Sequence, residues 1–334
     1  MSGTHAIAPW RQPEWLAKAT AWADARLAEL SIGRTGAPEQ RERAWSTVLT
    51  IPTDAGIVFL KQTADAMAND ATLTALLAPR APDLVLNPLA VDAAARRMLV
   101  PDGGRLLRDV LTEHADVQHW HHVLPRYAEL QRSMRTLAEP ILAAGAIDRR
   151  PRAIPGLFVA LLDDPIVQGR TELPGLTQDE RRTLSALLPA IEAAAHEVEA
   201  VAIGPSIQHD DLHDGNVLVS RADEHLVIDW GDAQLAHPFG SLLVTLRSVA
   251  DRFKVADDDP LVDRLRDTYL EVWSDAAPRS QLRRVAGLAG WMGMVGRALT
   301  WHASMATAND EERIQCAEGA VAWLREMADS VPVT

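Results

Sequence analysis

The sequence predicts an α+β protein of two lobes, a small N-terminal lobe built on an antiparallel sheet and a larger, mainly helical C-terminal lobe. Three observations carry this expectation. Two β-rich runs, Ser46–Ile51 and Ile57–Lys61, are joined by the turn-forming stretch Pro52–Gly56. Helical periodicity or loop fills residues 105–205 and the chain beyond 240. Between those blocks a second short β-rich pair, Val217–Val219 and Leu226–Ile228, flanks a polar turn. At 334 residues there is length for two domains, with the expected division between residues 1–103 and 104–334.

The elements follow in chain order. Pro13–Leu30 is an amphipathic helix, with Leu16, Ala19, Trp22, Ala23 and Leu27 at helical spacing. The β-hairpin ending at Lys61 is followed by a helix over about residues 66–78. Met98–Val100 is the last strand of the small lobe, and Pro101-Asp-Gly-Gly104 is a hinge. Thr177-x-x-Glu180 reads as a capping box ahead of an apolar face formed by Leu184, Leu187, Leu188, Ile191, Ala195 and Val198. Pro189 is expected to kink or split that helix, because it has no amide hydrogen and crowds the preceding turn. Later helices break near Pro260, Pro278 and Ala308-Asn-Asp310. Val285–Trp301 imitates a membrane span, but it carries Arg297 and four glycines and falls short of about 20 apolar residues. It is read as a buried helix, with Trp291, Trp301 and His302 as core residues rather than a sugar platform.

Composition excludes several classes. A net charge of −13 argues against nonspecific nucleic-acid binding and anionic membrane surfaces. The single Cys316 rules out an internal disulfide framework and fits a reducing cytosol. The N-terminus shows no basic region followed by an apolar core, so a cytoplasmic protein is expected, with no protein partner implied. No Gly-x4-Gly-Lys-Ser/Thr, Gly-x-Ser-x-Gly or His-Glu-x-x-His occurs, which removes P-loop, esterase and zincin chemistry. His114, His119, His121 and His122 are read as a polar helix surface, since their spacing does not converge on a metal.

The informative stretch is His209-Asp-Asp-Leu-His-Asp-Gly-Asn216, followed after thirteen residues by Asp229 in Ile228-Asp-Trp-Gly231. Protein kinases carry His-Arg-Asp-Leu-x-x-x-Asn and then Asp-Phe-Gly, and His, Asp, Leu and Asn recur here in the same register. The gap suits one short hairpin, which brings a base, an amide ligand and a carboxylate ligand into one small volume. Phosphoryl transfer from a magnesium nucleotide is the chemistry such a set serves.

The wording from His209 to Asn216 and from Ile228 to Ala233 resembles the aminoglycoside phosphotransferase and choline kinase family, small-molecule kinases with a protein-kinase-like fold. The resemblance runs from about Ser46 onward, with its specific residues between 206 and 233. It implies ATP and Mg²⁺ as cofactors and a small-molecule hydroxyl acceptor. It implies Asp211 as the catalytic base, Asn216 and Asp229 as magnesium ligands, and His209 as a structural residue packing the loop. On the nucleotide side it implies Lys61 as the strand lysine that meets the phosphates and Asp70 as its acidic partner, where the family has Glu. Adenine is expected near Val100, and Arg43-Ala-Trp-Ser46 fills the place of a glycine-rich loop, with Ser46 at the nucleotide. Asp232, just past the metal loop, is a candidate acceptor contact.

Three departures stand out. Asp210 takes the place of the usual Gly and is expected to face solvent; Asp214 takes the place of a common Pro, with little consequence expected. Ser241 stands where the family often has an Asp that buttresses the loop. The favoured acceptor class is an amino sugar or aminoglycoside, on the acidic balance and the motif wording. Two alternatives remain open: a catalytically silent nucleotide-binding pseudokinase, and a metal-dependent hydrolase using the same His and Asp residues.

Overall fold

The structure, a computed structural model, describes residues 8–165, 167–168, 175–304 and 310–332, and for residues 310–318 the backbone alone. The small lobe is a five-stranded antiparallel sheet in the order β1-β2-β3-β5-β4, from Glu39–Glu42, Ser46–Thr53, Gly56–Thr63, Arg97–Pro101 and Ala90–Asp92 (β5 before β4 in space). β2 and β3 form a hairpin in register from Ser46↔Thr63 to Thr53↔Gly56 around the two-residue turn Asp54–Ala55. β1 and β4 lie outside the predicted runs. β1 reads Glu-Gln-Arg-Glu, and an edge strand with no buried face leaves no apolar alternation to detect.

Helix α1 (Trp15–Glu29) covers one face of this sheet. Trp15, Ala19, Ala23 and Leu27 pack with Leu49, Ile51, Val58, Leu60 and Leu99 into a separate small-lobe core. Leu16, expected on that face, is instead exposed, and Trp22 lies only half-buried beneath the Arg97 guanidinium, 4.4 Å from its ring centre. The helix expected over 66–78 is shorter: a single 3₁₀ turn at Asp65–Met67 precedes α2 (Asp70–Leu77).

The hinge at Gly103 and Gly104 leads to β6 (Arg105–Leu106), which pairs with β9 of the hairpin β9–β10 (Val217–Val219 and His225–Val227). Gly104 has φ +113°, and a Cβ there would stand 2.1 Å from the Val219 carbonyl oxygen, so only glycine fits. A third sheet, in the order β7-β11-β8, joins Ile147–Asp148, Gln234–Ala236 and Ser206–Gln208. β7 pairs in parallel with β11 across nearly ninety residues, and strands of two or three residues carry no periodicity of their own.

Helices α3 (Leu107–Glu113), α4 (Gln118–Met134), α5 (Ala138–Ala143), α6 (Ile154–Asp163), α7 (Gln178–Ser185) and α8 (Leu188–Ala200) precede the hairpin; α9 (Leu242–Phe253), α10 (Pro260–Glu271), α11 (Arg279–Ser304) and α12 (Asp310–Asp329) follow it. The chain splits just ahead of Pro189, which sits in the first turn of α8, and Thr177 and Glu180 form the capping box that opens α7. The breaks at Pro260 and Pro278 stand where expected; of the third, Ala308 and Asn309 lie outside the described residues. α11 is buried along most of its length, and no described helix is long and apolar enough to cross a membrane. Trp291 is core, its indole donating to the Met327 carbonyl at 2.9 Å, whereas Trp301 and His302 are only half-buried. The histidines of α4 are not simply a surface: His119 Nδ1 meets the buried His225 Nε2 at 2.8 Å and His121 Nδ1 meets Thr268 Oγ1 at 2.9 Å.

Candidate active site

Two residues of the motif sit in left-handed backbone, Asp210 at φ +66° and Asp229 at φ +66°. That conformation is uncommon outside glycine, although Asp tolerates it better than most side chains. Each is held by partners that offset the strain. At Asp229 the next amide, Trp230 N–H, donates to Asp70 Oδ1 at 2.8 Å. Asn69, one residue before α2, adds a bond from its side-chain amide to the Ala233 carbonyl at 3.0 Å. The start of α2 thereby clamps the Asp-Trp-Gly turn.

Lys61 ends in the same place. Its Nζ lies 2.6 Å from Asp229 Oδ1 and 2.8 Å from Asp70 Oδ2. Burial alone would favour the neutral amine, but the two carboxylates outweigh it and hold the ammonium above its ordinary range. Asp70 therefore reaches Lys61 in spite of being one methylene shorter than Glu. Among the described residues no hydrogen bond or ion pair joins Ser46 or Val100 to this cluster. Ser46 opens β2 opposite Thr63, and Val100 lies on β5 opposite Phe59.

Across the cleft the loop is organised by His209. It is fully buried against Trp230, with ring centres 4.8 Å apart. Its Nδ1 accepts from the Asp211 amide at 3.3 Å, which leaves Nε2–H to donate to the Ile228 carbonyl at 2.9 Å. Burial favours the neutral ring and pushes its pKa down. Asn216 donates from Nδ2 to the Asp211 carbonyl at 2.8 Å, so its Oδ1 stays available to a cation. With Asp229, whose side chain is 42% exposed, this is one amide oxygen and one carboxylate at the cleft. So sparse a set fits Mg²⁺, which keeps water and takes phosphate oxygens alongside one or two protein ligands.

Asp211 carries two charged or polar partners, one from α11 and one from its own loop. Arg297 Nη2 lies 3.0 Å from its Oδ1, and His213 Nε2 lies 3.4 Å from its Oδ2. Burial pushes the Asp211 pKa up, but Arg297 and His213 outweigh it and keep the carboxylate ionised. Arg297 Nη1 also meets Asp232 Oδ2 at 2.9 Å and Asp210 Oδ2 at 3.5 Å. Asp232 thus sits behind the guanidinium; burial raises its pKa to about 7 against the pull of Arg297.

Asp210 is corrected by the structure. It is 2% exposed, not solvent-facing, and its carboxylate meets Arg297, Arg149 at 3.7 Å, and the side-chain amides of Gln234 and Gln208 at 2.9 and 3.2 Å. Asp214 is corrected as well: it is buried, accepting from Arg108 Nε at 3.0 Å and Arg252 Nε at 2.9 Å. The buttress missing at Ser241 comes from α4 and α9. Tyr127 Oη accepts from the His209 amide at 2.9 Å and lies 2.7 Å from Ser241 Oγ, while Thr245 Oγ1 donates to the Leu212 carbonyl at 2.7 Å.

A lysine held by two carboxylates on one wall, facing an aspartate, an asparagine and an arginine on the other, is the layout of a phosphoryl-transfer site. The sequence profile of the phosphotransferase enzyme family matches residues 39–282. The chain belongs to this phosphotransferase family. The fold of this phosphotransferase is similar to that of a macrolide 2'-phosphotransferase from Brachybacterium faecium, at 17% identity over 89% of this chain and 97% of that one, TM-score 0.57. It is also similar to a choline/ethanolamine kinase family protein from Mesorhizobium loti (16% identity, 92% and 94% covered, TM-score 0.60). A third similar fold is an ethanolamine kinase from Plasmodium vivax (10% identity, 95% and 89% covered, TM-score 0.61). No curated protein sequence matches the phosphotransferase.

Sequence reading missed Arg297, Arg149 and Asn69, and weighed His213 only as a ligand of the hydrolase alternative. Arg297 had a signal: it is the one charge in the apolar run 285–301, and a lone cation there calls for a buried partner. Arg149 and Asn69 had none, because their partners lie far away in sequence.

Proposed function

We propose that this phosphotransferase moves the γ-phosphate of ATP, with Mg²⁺, to a hydroxyl of a small polar molecule. The observation that carries the reading is the pairing of Lys61 with Asp70 and Asp229 opposite Asp211 and Asn216. Lys61 engages phosphate oxygens of the donor, and Asn216 Oδ1 and Asp229 hold the metal. Bound there, Mg²⁺ would neutralise negative charge on the donor phosphates. Asp211 accepts the acceptor hydroxyl proton as the new O–P bond forms and the bond to the ADP oxygen breaks. Arg297 keeps that carboxylate ionised and fixes which oxygen faces the hydroxyl. Positioning and charge stabilisation supply most of the rate.

The silent-pseudokinase alternative loses force, because the Asp70 and Ser241 departures that motivated it are both compensated. The hydrolase alternative needs free imidazole nitrogens, yet both ring nitrogens of His209 meet backbone groups and His213 Nδ1 accepts the Gly215 amide at 2.9 Å.

Thermal unfolding of the wild type and Asp229→Ala, with and without ATP and Mg²⁺, tests the reading. Ligand at a hundred times its dissociation constant stabilises the fold by about 2.7 kcal/mol. The expected result is a magnesium-dependent shift in the wild type that Asp229→Ala loses. No shift in the wild type overturns the proposal.

A further inference from the structure

A cavity of about 410 Å³ opens beside the proposed base, within the size range of small-molecule sites. Its described lining consists of Asp211, His213, Val244, Ser248, three arginines (Arg108, Arg247 and Arg297) and two tryptophans (Trp301 and Trp323). The only carboxylate in that set is Asp211, and its oxygens already face Arg297, His213 and the Asn216 side chain.

The acids that balance the arginines lie mostly behind them. Asp214 is 3% exposed and is shared by Arg108 and Arg252, one carboxylate for two guanidinium groups. Asp210 and Asp232 are packed beneath Arg297. Arg247 pairs with the partly exposed Glu326 and lies over Trp323, its Cζ 4.7 Å from the ring centre. Each buried pair is a dipole whose positive end meets the cavity, so a bound ligand is nearer the cation than the anion.

Hydrogen-bond inventory points the same way. A guanidinium has five N–H donors and no acceptor, and an ammonium ion brings donors only. Apart from Asp211, the described lining offers an ammonium group little beyond the Ser248 hydroxyl. A carboxylate or phosphate oxygen, by contrast, is matched by the guanidinium donors of Arg108 and Arg247, which line the cavity. Trp301, which meets Trp45 of the β1–β2 turn edge-on with ring centres 6.3 Å apart, and Trp323 add flat apolar surface.

From the guanidinium-lined cavity beside Asp211, we propose that the acceptor is an anionic hydroxyl compound, a sugar acid or a similarly sized hydroxylated carboxylate or phosphate, bound against Arg108, Arg247 and the tryptophans. This deepens the phosphotransferase reading and rests on it. It displaces the amino-sugar class, which rested on the acidic balance of the whole chain and on the motif wording; the described lining of the cavity has the opposite sign.

The test titrates the full chain with glucuronate, glucose and glucosamine, three pyranoses that are anionic, neutral and cationic slightly below neutral pH. Tryptophan fluorescence reads binding, and the same titrations are run on Arg108→Gln/Arg247→Gln. Glucuronate should bind about tenfold or more tighter than glucosamine, and the gap should shrink to within about threefold in the double variant. Glucosamine equal to or tighter than glucuronate, no glucuronate binding, or a gap unchanged in a double variant that melts cooperatively overturns the proposal. If that variant fails to fold, the wild-type ranking decides. The ATP–Mg²⁺ thermal shift is read on the same sample: its presence with the wrong sugar ranking removes only the acceptor class, and its absence removes the phosphotransferase mechanism itself.

Discussion

Arg297 Nη2 and Asp211 Oδ1 stand 3.0 Å apart, and the same guanidinium reaches Asp232 and Asp210. A planar fork can hold several carboxylates in fixed directions, which a single ammonium cannot. Arg297→Lys is expected to keep the fold and the ATP–Mg²⁺ thermal shift while lowering kcat by roughly 10- to 100-fold, because the base is no longer aligned. Steady-state ADP release with a saturating acceptor measures it; an unchanged kcat removes Arg297 from the mechanism.

Asp70 performs two tasks with two oxygens, accepting the Trp230 amide on Oδ1 and facing Lys61 with Oδ2. Asp70→Asn retains a carbonyl oxygen for the first and loses the charge for the second. The expected outcome is a KM for ATP raised about tenfold, with a smaller fall in kcat. A change confined to kcat would mean that Lys61 does not depend on this carboxylate for placement.

His237 introduces acid sensitivity away from the catalytic groups. Burial pushes its pKa from 6.5 down to about 3, and its Nδ1 accepts the Phe239 amide at 3.3 Å. The unfolded chain binds a proton that the folded ring refuses. Stability is therefore fully present above about pH 6.5 and is lost as pH falls toward 3, at about 1.4 kcal/mol per unit. Asn does not titrate in this range and retains a cap acceptor. Urea unfolding should show His237→Asn losing about 2 kcal/mol less than the wild type between pH 6.5 and pH 5; equal losses would assign the acid limb to other groups.

Gly104 and Gly287 make a matched pair. Alanine at 104 brings Cβ to 2.1 Å from the Val219 carbonyl in backbone with φ +113°, whereas alanine at 287 in α11 meets no atom within 4 Å. Gly104→Ala is expected to destabilise by about 3 kcal/mol or more. Gly287→Ala should be neutral or stabilising by up to about 1 kcal/mol. Urea midpoints compare them, and a harmless Gly104→Ala would mean that the hinge does not pack against the hairpin in this way.

What was legible in the chain was local. The β-rich runs of Ser46–Lys61, the spacing from His209 to Asp229, and the Pro, Gly and capping signals each reside within a few residues, so the two-lobed fold and the phosphotransferase family followed from sequence. The edge strand β1, with no buried face, and the third sheet, with strands of two or three residues, left no such signal. Charge at the site was a matter of tertiary structure. Asp210 was expected to face solvent and Asp214 to have little consequence, yet folding buries both against arginines from elsewhere in the chain, Arg149 just after β7, Arg297 on α11, Arg108 on α3 and Arg252 on α9. A net charge of −13 describes the whole surface, while the cavity beside Asp211 is set by which few side chains converge there. Composition sums over all residues, but electrostatic interaction falls with distance and is screened by solvent. Which partners an aspartate meets, and hence what the site recognises, is therefore decided only when the helices pack.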